Sequence, residues 1–188
     1  MAILTATSIK KAVVSRIRKF MPTIQILRPN PQGELRPVTL RLNIFTENSE
    51  TDEVTGITFN PDNTNSYPYI FVEQLDRHTV RRIRTGRNIQ HEYLYFMNVR
   101  LYINIDPFDS RQTPRLHEEL EVIELSLERI LSELEMFDTV YETGDRRGTI
   151  QYGVLHYFFD VHVIEETVPE DADKVENLEI EDMEAVIP

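Results

Sequence analysis

Three groups of residues in this chain have types and spacings that could do chemistry. His156, Asp160 and His162 occupy even positions of one apolar segment, so a strand would place all three on one face. A metal site needs three or four such ligands to converge, and no CxxC or HExxH pattern accompanies these. Ordinary histidines on a polar strand face are the expectation, and no metal is expected. Asp76 and His78 could orient a hydroxyl nucleophile, but there is no GxSxG-like elbow to present one. The third group is cationic: Arg77, Arg81, Arg82, Arg84 and Arg87 crowd the stretch "DRHTVRRIRTGRN", just before the most hydrophobic run of the chain.

Composition narrows the chemistry further. The 188 residues suffice for one domain with a substantial core. There is no Cys, which excludes disulfides, thiolate zinc ligands and a thiol nucleophile. Neither GxGxxG nor GxxxxGK[ST] occurs, so no nucleotide cofactor is expected. No signal peptide and no apolar run of membrane-spanning length is read from the sequence, and no membrane partner is expected. The chain therefore reads as a non-enzyme. Its charge is unevenly placed. Residues 1–105 carry a net +5, residues 106–164 a net −8 and residues 165–188 a net −9, within a total of −12. A body polarised in this way can attract a copy of itself head to tail.

These charges must be positioned by regular elements. Residues 8–21 have Ile9, Val13, Ile17, Phe20 and Met21 at helical spacing, with Thr7 or Ser8 as cap and Pro22 as stop. The opposite face carries Lys10, Lys11, Arg18 and Lys19. Residues 23–27 and 36–45 read as strands, the second alternating with one wet face. The polar stretch 46–67 is a long connection, with a small hairpin around "EVTGITF". Residues 67–75 form a strand that leads into a long hairpin turning at "RTGRN". Its second arm exceeds ~40 Å at ~3.3 Å per residue, so it should project beyond the sheet and carry the arginines with it.

A second helix opens at Thr113 and Pro114. Its apolar stripe runs Leu116, Leu120, Ile123, Leu127, Ile130, Leu134 and Phe137. Its back is acidic, with Glu118, Glu121, Glu124 and Glu128. A short strand, a "TGDRRG" turn and a long strand follow. The predicted fold is α+β: a mixed, largely antiparallel sheet with two helices packed on one face and a long projecting β-hairpin. The domain should span residues 1–165, with 46–67 as a polar loop insertion. Residues 166–188 form an acidic C-terminal tail too charged to pack on its own.

The arginine arm has three readings. It can be a solvated hairpin tip, a nucleic-acid contact, or an interface that meets acid on a neighbouring subunit or partner. The third is favoured, because the chain supplies acid on the second helix and the tail. A phosphate-binding patch would want more basic reinforcement or stacking aromatics.

The pieces "IKKAVVSRIRKFMP", "YPYIFVEQLD", "LHEELEVIELSLERILSEL" and "GVLHYFFDVHV", in this order, resemble the tail terminator (tail completion) proteins of long-tailed bacteriophages. The resemblance spans roughly residues 8–165. It implies an α+β subunit that forms a ring, usually a homohexamer, on the end of the tail tube. Such a ring stops tube growth and presents a surface to head-completion or neck proteins. The implied partners are the chain itself, the tube protein, the neck proteins and a sheath protein. DNA would be met only as the passing genome, and the implied location is the virion tail, with assembly in the host cytoplasm. The family brings no catalytic residues. The runners-up are a nucleic-acid-binding module built on the arginine hairpin and an adjacent head–tail joining protein.

Overall fold

A computed structural model describes residues 4–63, 67–85, 88–103 and 113–167. Helix α1 (Ala6–Phe20) starts slightly earlier than the sequence predicts. Thr5 is extended, and its hydroxyl accepts a hydrogen bond from the Ser8 amide, which satisfies one of the unpaired donors of the first turn. Ile9, Val13 and Ile17 are fully buried on its inner face.

Among the described residues, strands β1 (Thr23–Pro29) and β2 (Leu35–Arg41) pair only with each other, as a separate two-stranded sheet. The predicted strand 36–45 is in fact two. Leu42 is buried at the break and hands the chain to β3 (Asn43–Thr46), which belongs to the main sheet. Alternation cannot reveal such a break, because both pieces share the same period. Four more of the main sheet's strands are β4 (Tyr69–Thr85), β5 (Asn88–Tyr102), β7 (Thr139–Gln151) and β8 (Val154–Thr167). With β6 (Glu133–Met136) at the far edge, the order is β3-β4-β5-β8-β7-β6. Only β3–β4 is parallel; the other pairs are antiparallel. The fold is α+β with a mixed, largely antiparallel sheet, as the sequence predicts.

Helix α2 (Thr113–Ile130) buries Leu116, Leu120, Ile123 and Leu127. These join the α1 stripe and the odd-numbered residues of β5 and β8, among them Met97, Val99, Tyr157 and Phe159, in one core. Both helices therefore contribute to the same side of the sheet. Each such aliphatic side chain contributes about 1.5–3 kcal/mol by leaving water. Among the described residues, no helix is long and apolar enough to cross a membrane.

Three local expectations are corrected. The second helix does not run to Phe137. It stops at Ile130, Leu134 is buried in β6, and Phe137 sits in the turn to β7 at 57% exposure. A strand alternating Leu134 and Met136 inward happens to continue the helical spacing. The "TGDRRG" segment is not a turn but a bulge inside β7, between Gly144 and Arg147, and the chain reverses at Tyr152–Gly153 instead. The domain edge at 165 falls inside β8, which continues to Thr167; residues 168–188 lie outside the described residues.

Candidate assembly surfaces

The arginine arm is the far end of β4 and β5. β3 accompanies β4 only as far as Val72, so from Glu73 onward no described strand pairs with the outer edge of β4. The other side is better supported than a bare ribbon, because β8 runs beside β5 until Thr167 faces Ile89. The projecting end is three-stranded. Two register shifts interrupt β4 and leave Leu75 and Val80 without direct partners on β5; both are about half exposed. Each bulge reverses which side later residues face. Arg81 consequently lies opposite Glu92, whereas Arg82 and Arg84 lie opposite His91 and Ile89, on the other side of the ribbon.

Arg77, Arg81, Arg82 and Arg84 are exposed. Arg77 lies over the Tyr93 ring at 5.3 Å. Arg87 lies outside the described residues. A charge on each side of the ribbon cannot be buried in the subunit's own core, since an unpaired buried charge costs several kcal/mol.

On α2, Glu118, Glu121 and Glu128 are exposed, and Glu121 pairs with His117 at 3.2 Å. Glu124 is different. It is half-buried, and its side chain lies in the space that a side chain at position 148 would enter, so Gly148 leaves room for it. Among the described residues, Arg77, Arg81 and Arg82 form no ion pair with these glutamates. The two charged surfaces are separate within one subunit.

The basic face expected on α1 is partly used internally. Lys10 is buried and donates to Glu47 at 2.7 Å, and Arg18 donates to Asp52 at 2.9 Å. Lys11 and Lys19 remain exposed.

Asp52 is a residue that the sequence reading missed. It is 1% exposed and accepts from the Ile44, Val54 and Thr55 amides, the Thr55 hydroxyl and Arg18. Burial pushes its carboxyl up, but the amide and hydroxyl donors together outweigh burial and hold it below the ordinary value. The signal was present in "DEVTG": an Asp accepting from the backbone two and three residues on, followed by Gly56 at φ 69. The 46–63 excursion is therefore pinned, with a bridge between Thr51 and Thr58 at the hairpin that the sequence suggests.

The sheet side away from the helices carries the first group of candidate residues. His156 stacks near Phe158, Asp160 is nearly buried, and His162 is 3.7 Å from Glu92. From His156 to His162 the strand runs ~20 Å, too far for one ion to bridge. Among the described residues, no group of three His, Asp or Glu could hold a metal. Burial pushes the His156 imidazole down, helped by Arg100, while Glu73 opposes. Burial pushes the Asp160 carboxyl up, and Asp145 adds to this; the Gly144 amide and His162 oppose. Beside them, Glu73 accepts from Asn98 at 2.8 Å and from Arg100 at 2.9 Å. Asp76 and His78 meet at 3.0 Å in the open, on the edge strand.

No protein-family model and no curated protein matches the chain. One solved structure that is similar to it covers 88% of this chain and 98% of its own, at 12% identity and a TM-score of 0.37. It has no functional name, and the likeness is too slight to carry an argument.

Proposed function

We propose that the chain is a structural subunit of a phage tail, one that closes a ring on the end of the tail tube, stops its growth and offers a surface to neck proteins. The observation that carries the reading is the charged end of β4–β5. Its arginines are exposed on both sides of a stiff three-stranded support, and the acidic face of α2 lies elsewhere on the same subunit. Rigid, oppositely charged and separate surfaces are what a head-to-tail ring requires. The order of sequence segments that resembles tail terminators supplies the identity of the ring. The projecting end is suited to dock on the tube below or on a neighbour, with Arg–carboxylate forks fixing register.

The test is the variant Arg81→Glu, Arg82→Glu, Arg84→Glu, assayed in tail assembly. Normal folding together with overlong tubes or unjoined heads is the expected result. Tails of normal length joined to heads would remove the hairpin from the interface. Tight, salt-sensitive DNA binding by wild type that the variant loses would favour the nucleic-acid module instead.

A further inference from the structure

Two exposed apolar patches lie outside the arginine arm. The first is built by a strained turn. Phe137 and Asp138 are the two residues between β6 and β7, and both have positive φ, 50° and 61°. Such a two-residue turn favours Asn and Gly, and a phenylalanine there is strained. The strain presents Phe137 outward, 57% exposed, across a shallow groove from Phe20, itself 54% exposed. Ala12 and Ser15 of α1 line the same groove. Lys19 and Arg16 lie over the Phe20 ring at 5.2 and 5.4 Å, and Lys11 lies exposed two turns before Lys19. Glu135 and Asp138 rim the opposite end.

The second patch is on the outer face of α2, opposite its buried stripe. Val122 and Leu125 are 64% and 59% exposed there. Glu118, Glu121 and Glu128 surround them, and Arg129 follows one turn after Leu125.

We propose that these patches dock on each other between copies: Val122 and Leu125 of one subunit cover Phe20 and Phe137 of the next. Charge selects this occupant. Pairing the α2 patch with itself would oppose glutamate to glutamate, whereas the first patch offers Lys11 and Lys19 of α1 at one end and Glu135 and Asp138 at the other. Pairing them with each other sets Glu118 and Glu121 against Lys11 and Lys19, and Arg129 against Asp138. Different patches in contact make a heterologous interface, the kind that closes rings. An exposed aromatic held in an unfavourable backbone conformation is the expected anchor of such a contact. This contact rests on the ring reading above and names its interface; it gives the α2 glutamates to the neighbour's α1 and leaves the arginine end of β4–β5 to the tube below.

The chain has no cysteine, so cross-linking has no background. Lys19→Cys and Glu121→Cys are prepared separately, both at exposed positions, and treated with a short bismaleimide, alone and mixed. The reactions are run on the free chain at high concentration and again on purified tail tubes. Cross-linked dimer in the mixture but not in either variant alone is expected, as is a ladder from the double variant. Phe137→Asp should weaken self-association at least tenfold, and Lys19→Glu should be rescued by Glu121→Lys. Cross-links within each single variant and none specific to the mixture would overturn the proposal, as would oligomers by native mass spectrometry without a mixed cross-link. Absence of any association in both settings overturns it too. The ring reading fails by a different observation: tubes that grow without limit in the presence of wild-type protein.

Discussion

The chain makes two polar excursions from its core, and they are held in opposite ways. Residues 46–63 are tied down from within. Asp52 collects five donors in the interior, and Phe59 packs its ring 5.2 Å from Phe45 and 5.1 Å from Tyr69. The end of β4–β5 is held by its ladders and by β8 alongside, and Arg77, Arg81, Arg82 and Arg84 stay exposed. The first is polar because a loop needs a buried acceptor to satisfy its amides. The second is polar because nothing in the subunit is meant to cover it. Polar composition alone does not distinguish a pinned loop from a presented surface; where the charges find their partners does.

The comparison breaks most visibly at Asp52. Asp52→Ala leaves three amides and Arg18 without their acceptor, so it should cost about 3 kcal/mol, read as a shift of the urea midpoint. A cost below about 0.5 kcal/mol would mean that the loop is not pinned by this carboxylate.

Acid provides a second break, and the two buried aspartates should respond with opposite sign. The Asp52 carboxyl is lowered on folding from 3.8, so its contribution is present above 3.8 and lost as pH falls through the folded value. The Asp160 carboxyl is raised, so its contribution is present below 3.8 and lost as pH rises through the folded value. Asp52→Asn should therefore be destabilised near neutrality and approach wild type in acid. Asp160→Asn should be at least as stable as wild type near neutrality. Thermal melts from pH 3 to 7 decide this, and parallel curves for the two variants would contradict it.

On the presented surface the same kind of change should do little to folding. Arg81→Glu, Arg82→Glu and Arg84→Glu together should move stability by about 0.5 kcal/mol or less per site, even while assembly fails. A large loss of stability would show that the hairpin is tied down after all. The smallest effect is expected from truncation after Thr167. It removes little apolar area and should leave the melting temperature within about 2 °C. Loss of the cooperative transition would place the acidic tail among the elements that hold the domain.

Much of the fold was legible in the sequence because burial leaves a period. The stripes of α1 and α2 and the alternation of β5 and β8 are readable at the level of single residues. What failed did so where two structures share one pattern. Leu134 and Phe137 continue the spacing of α2, yet Leu134 belongs to a strand and Phe137 is presented by a turn. "TGDRRG" has the composition of a turn, and β7 absorbs it as a bulge. The candidate surfaces were legible as charge but not as exposure. Lys10 and Arg18 look like Lys11 and Lys19 in sequence, and only the partners Glu47 and Asp52, more than thirty residues away, separate them. Val122 and Leu125 fall outside the apolar stripe, and that was the available sign that they face solvent.

The two bulges in β4 bear on how the free subunit behaves in a crowded cell. From Glu73 to Thr85 no described strand covers the outer edge of β4, and a bare edge of that kind is a template on which another chain can add a strand without limit. Bulges break that template into short pieces, and arginines repel the approach of a like edge. Substituting Arg81, Arg82 and Arg84 by threonine, with deletion of Leu75 and Val80, would leave a long uninterrupted edge of high β-propensity. Turbidity of that protein on standing would measure how much of this sequence is spent on colloidal safety rather than on shape.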